Sequence, residues 1–210
     1  MRLKDWQFFL GIGVITFFVI LPVSHDAFFG FADRYPYIGG FMKFFLFASM
    51  GDIISRRIKH GDYQVTGLLY KALIWGIIGI MVVIVFQVFP AGVLAMQGMG
   101  MLPLEGNTFA HALFSSVLMN LFFAPTMMLF HRISDAFIEH RLLSSGKTLS
   151  GALKTIDYPA FLQMLFKTIP LFWMPAHTIT FLLPSTYQPF FASLLGVMLG
   201  LFLNLFKRHT

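Results

Sequence analysis

Gln163, Lys167 and His177 lie along one long apolar run, Tyr158–Leu183, and offer more chemistry than any other trio in the chain. With Pro170 and Met174 they follow a four-three-four-three spacing, which keeps residues on one helix face. A lysine at membrane depth is costly, and such residues pair internally or mark a path. Proline removes a backbone hydrogen bond and bends the helix, so Pro170 and Pro175 free carbonyls beside that face. Two readings stay open. In one, the face is a buried polar cluster in which Lys167 pairs with Asp52 or with a freed carbonyl. In the other, Gln163, Lys167 and His177 line a solute pathway. Histidine, with an unperturbed pKa of about 6.5, would add pH gating to the second.

Other constellations offer less. His131, Asp135 and Glu139 stand at i, i+4 and i+8, with His140 next, a spacing that places metal ligands on one helix face. The same stretch carries Arg132 and Arg141, and an amphipathic helix lying on a membrane surface is the favoured explanation of it. Gly146-Lys147-Thr148 resembles the end of a phosphate loop, but Arg141 occupies the place of the required earlier glycine. With no cysteine there is no thiolate metal site or disulfide framework. No metal, no cofactor and no enzymatic activity are expected. A membrane-embedded metal-dependent enzyme built on His131, Asp135 and Glu139 is the least favoured alternative.

The elements that must position these residues are read from composition. The chain is 57% hydrophobic and 11% charged, with mean hydropathy +0.76, against about 25% charged in soluble domains. Spanning helices need about 20 mostly apolar residues. Six such runs occur, at 6–23, 37–54, 67–89, 109–130, 158–183 and 187–206, in one domain over residues 1–210. The expected fold is an all-α integral membrane bundle with a proline-bent fifth helix. Arg2 and Lys4 precede the first run, but no small-residue cleavage site follows it, so an uncleaved anchor is expected. Of the 15 cations, 12 fall on one expected side, only Arg34 falls opposite, and Lys43 and Lys167 lie within runs. That asymmetry puts both termini on the positive, cytoplasmic or equivalent, side. The net charge of +6 flanks apolar runs, so it suits an anionic leaflet and not nucleic acid.

Small and polar residues add packing faces. Ala112, Ser116, Asn120 and Ala124 are spaced by four, as are Ala192, Gly196, Gly200 and Asn204. Such stripes bring helices close in lipid. They also allow a pathway with Asn120 and Asn204 as polar points, and they permit a homo-oligomer. Lys43 is placed to snorkel outward. Asp52 stands near a helix C-terminus, where an acid opposes the dipole, so pairing with Arg56 one turn on is expected.

Two stretches carry a resemblance. One is Tyr35-Pro36 followed by Gly51-Asp52-Ile53-Ile54-Ser55-Arg56. The other is Asp157-Tyr158-Pro159, then Trp173-Met174-Pro175, Phe181, Pro184 and Tyr187. These resemble the small integral membrane family of the mitochondrial inner-membrane protein Mpv-seventeen and the peroxisomal membrane protein of similar size. The step from Pro36 to Gly51 is the family's own, and Phe123-Ala124-Pro125 is similar to its third signature. Arg56 stands where the family has Gln, Thr180-Phe181 where it has Asn-Phe, and the amino-terminal span is extra. The resemblance implies a channel or pore-forming protein, distant and bacterial in character. It implies an inner (plasma) membrane, or a mitochondrial inner or peroxisomal membrane. The expected function is therefore a channel or transporter for small solutes in the lipid bilayer, anion-preferring because of Lys167. A non-transporting scaffold that binds lipid or another subunit is the alternative.

Overall fold

The computed structural model describes residue 28 and residues 30–143, 148–195 and 198, and among them every regular element is helical. The expected first span, and Gly196, Gly200 and Asn204 of the last, lie outside the described residues. Helix α1 (Pro36–Lys43) opens on proline, whose missing N–H costs nothing at that position. A π-helical turn, Phe44–Ala48, joins it to α2 (Ser49–His60). That helix stops on Gly61 in the left-handed conformation, φ 77°. Helix α3 (Leu68–Gly98) holds 31 residues, a rise of about 46 Å. The Asn107 side chain caps α4 (Thr108–Phe122) by accepting from the Ala110 N–H at 2.9 Å. Then come α5 (Ala124–Leu143), the short α6 (Leu149–Leu153), α7 (Tyr158–Thr168), a second π turn (Ile169–Trp173) and α8 (Met174–Phe181). A last helix, α9, is described over 188–195.

Among the described residues two helices are long and apolar enough to cross a membrane: Pro36–Ile58, which runs through the first π turn, and Leu68–Gly98. A third span results if α4 and α5 count as one, bent by 43° at Phe123. Pro125 explains the bend, because it cannot donate the backbone bond that would continue α4 into α5. Large apolar side chains face outward, with Phe166 78% and Leu171 77% exposed. Faces like these suit a hydrocarbon solvent better than water.

The main core joins the first π turn, α3, α4 and α9 through Phe44, Ile78, Val82, Phe86, Met119 and Ala192. A smaller one joins α5 and α7 through Ala124, Phe161, Leu165 and Ile169. Helices α1 and α3 meet through bare glycine backbone. A Cβ on Gly79 would stand 2.8 Å from the Phe44 Cβ, and one on Gly40 would stand 2.8 Å from the Gly79 carbonyl oxygen. Backbones approach this closely only where no side chain intervenes.

Candidate functional site

These helices surround a cavity of about 300 Å³. Its walls are largely apolar, with aromatic rings from Phe44, Trp75, Phe86, Phe123, Phe161 and Trp173. Met119, Met127, Met128 and Met164 fill the gaps, as flexible, polarizable side chains do. Polar groups stand at two places. Asp52 and His131, both in contact with Trp75, form one, and His177 stands at the other; Ser55, Arg132 and Ser193 also line the cavity. The volume falls within the range of small-molecule sites, which are commonly apolar with few polar groups.

At the His177 end, α8 meets α4. The His177 Nδ1 lies 3.1 Å from the Asn120 Nδ2 and 3.2 Å from its Oδ1, so the amide engages the ring in either tautomer. Asn120 Nδ2 also donates to the Ser116 carbonyl at 2.8 Å, and Ser116 Oγ donates to the Met174 carbonyl at 2.7 Å. Asn120 and Ser116 are fully buried, so these bonds satisfy groups that water cannot reach. Trp173 stacks on His177 with ring centroids 5.4 Å apart, and Phe86 meets the imidazole edge-on at 5.8 Å. The His177 Nε2 has no protein partner among the described residues, and His177 lines the cavity.

The π turn at Ile169–Trp173 decides which side chains reach this place. Pro170 and Pro175 break the ordinary ladder, and the turn takes up one extra residue, about 100° of rotation. Gln163 and Lys167 precede it and are exposed beside Phe166, whereas His177 follows it and is buried. The single face expected from spacing is therefore split. His177 joins Asn120, while Gln163 and Lys167 stand off the cavity. Lys167 does not pair with Asp52.

At the other end, the Trp75 indole N–H donates to Asp52 Oδ2 at 2.9 Å. The His131 ring packs on Trp75 with centroids 4.2 Å apart. The expected Asp52–Arg56 pair does not form. Arg56 grips Asp62 with two bonds of 2.8 and 2.9 Å, because the turn after Gly61 folds the loop back on α2. With the Gln64 N–H, that guanidinium holds the Asp62 carboxyl down at about 2. Lys71, read as a loop-flanking cation, is buried instead. Its Nζ donates to Glu139 at 2.6 Å and lies 3.8 Å from Asp135. Helix α5 thus turns His131, Asp135 and Glu139 onto α3, which corrects the expectation of a free surface helix. Among the described residues no group of His, Asp and Glu is arranged to hold a metal. His131 Nε2 and Asp135 Oδ1 are buried without hydrogen-bond partners there.

The remaining expected residues are placed as follows. Lys43 is 3% exposed and lies over the Phe28 ring at 5.6 Å, so it does not snorkel. Gly51 and Ala192 line the cavity. Pro36, Pro125 and Pro175 each stand in the first turn of a helix, and Pro184 heads a turn closed by the Tyr187 N–H at 2.9 Å. Sequence reading missed Trp75 and Lys71 as site residues. Their only signal is an indole and an ammonium four residues apart on an otherwise apolar helix. No protein-family model, curated protein or solved structure matches this chain.

Proposed function

We propose that this chain is a multi-pass membrane protein of six spans, with both termini on the cation-rich side, that takes a small solute into its bundle as a channel or carrier. The observation that carries this reading is the cavity of about 300 Å³ with a largely apolar lining that includes Asp52, His131 and His177. Sites of this kind lie between helices and use a few polar groups to orient the ligand. The resemblance to the Mpv-seventeen family agrees with it, as does the cation asymmetry, and both favour an inner or organellar membrane. The anion preference expected from Lys167 is dropped, since that lysine is outside the cavity. The buried Asn120–His177 contact favours the alternative, a scaffold whose polar face is packed shut.

Proteoliposome flux separates the two. Erythritol, pivalate and tetramethylammonium are the probes. At least one should cross faster than in protein-free vesicles, and Ala192→Phe, which fills the cavity, should cut that flux at least tenfold. Equal rates for all three with and without protein would leave the scaffold reading standing.

A further inference from the structure

Asp52 presents a carboxylate to the cavity without a cationic partner. One oxygen accepts from a neutral indole N–H, and no bond is made to the other among the described residues. Two nearby cations are committed elsewhere. Arg56, one turn on, is spent on Asp62 in two bonds. Lys71 donates to Glu139 at 2.6 Å and lies 3.8 Å from Asp135. The charged and titratable groups acting on Asp52 are His131, Asp135 and Lys71, and Arg132, though it lines the cavity, is not among them. A carboxylate removed from water is costly unless a positive charge answers it. The cavity that Asp52 lines has aromatic walls that include Trp75, which holds one carboxylate oxygen, and Phe44, Phe86 and Phe123. Ring faces attract cations, indole best, and do so more strongly where water is excluded.

We propose that the cavity is a site for a small organic cation, an ammonium group with an apolar body, held by Asp52 and enclosed by these rings. The proposal rests on the solute-binding reading above and names its substrate class. It reverses the charge preference that Lys167 suggested. The ammonium lies against the free oxygen of Asp52, and Trp75 keeps the other oxygen oriented. The methionine side chains fit the apolar body without demanding one shape.

Three probes of nearly equal size and shape differ in charge: tetramethylammonium, tert-butanol and pivalate. Binding is measured by calorimetry on the full chain in nanodiscs at pH 7.5. Tetramethylammonium should bind at least tenfold tighter than tert-butanol, and pivalate weakest. Asp52→Asn should weaken tetramethylammonium at least tenfold and leave tert-butanol within twofold. Asp52→Glu, which keeps the charge, should recover most of the affinity and serves as the folding control. Tetramethylammonium binding no tighter than tert-butanol overturns the proposal, as does pivalate binding tightest or an unchanged affinity in Asp52→Asn. Because binding is read without flux, tetramethylammonium that binds but does not cross removes the carrier reading and leaves this site. Tetramethylammonium flux indifferent to Asp52 does the reverse.

Discussion

Replacing Lys71 by methionine tests the buried charge layer between α3 and α5. The ammonium is 9% exposed and faces two carboxylates, Glu139 at 2.6 Å and Asp135 at 3.8 Å. Removing one partner of a buried ion pair costs about 3–5 kcal/mol, since the other charge stays behind unanswered. That figure must be reduced here. The Glu139 side chain is 43% exposed, so water replaces much of what it loses. Asp135 is 17% exposed and already carries one unpartnered oxygen, so it bears most of the penalty. The expected loss is about 2 kcal/mol, or a melting temperature lower by roughly 4–8 °C for a chain of this size. Circular dichroism melting in detergent reads it directly. Adding Asp135→Asn to Lys71→Met should recover more than half of the loss, because the stranded charge is gone. Glu139→Gln alone should cost less than Lys71→Met. A Lys71→Met protein that melts within 1 °C of wild type would refute the reasoning, and so would a double variant no more stable than the single one.

Asn120→Ala strands the Ser116 carbonyl contact and the His177 ring in a dry interior and should cost about 2–4 kcal/mol, read as a lower melting point. Gly79→Leu should be worse than Gly92→Leu, since a side chain at Gly79 meets Phe44 and Gly40 whereas Gly92 faces open space. Expression and monodispersity of the two variants decide the matter, and equal behaviour would deny the close helix contact. The Arg56–Asp62 pair lowers the folded-state pKa of Asp62 to about 2, below the unfolded value of about 3.9. Its contribution is therefore complete above about pH 4 and is lost as pH falls through about 2. Asp62→Asn should remove that acid-side change and leave the slope between pH 5 and 8 untouched. Finally, Lys167→Met should leave probe flux within twofold of wild type, because the side chain stands on the outer surface. A tenfold loss would return Lys167 to the pathway.

Helical class and membrane-compatible apolarity were legible in the sequence because they depend on local composition. Leu68–Gly98 contains one cation in 31 residues, and no tertiary partner is needed to know that such a run prefers hydrocarbon. Asn107 and Asp157 cap α4 and α7 by an equally local contact, each accepting from an N–H three residues on. Proline positions were legible as breaks, but their geometry was not. Pro170 and Pro175 are accommodated by a π turn, and the residue it absorbs moved Lys167 and His177 to different faces. A spacing argument counts uniform turns of 3.6 residues and has no way to register that slip.

Partner choice was decided by tertiary structure alone. Asp52 and Arg56 are one turn apart and of opposite charge, yet the loop after Gly61 brings Asp62 to Arg56, and α3 brings Trp75 to Asp52. The sequence determines which charges exist and how far each lies from the helix ends. Which charge meets which depends on how α3 and α5 turn against each other, and side chains many residues apart settle it, as Lys71 and Glu139 do across 68 positions. The free carboxylate in an aromatic cavity is what remains after those pairings are made.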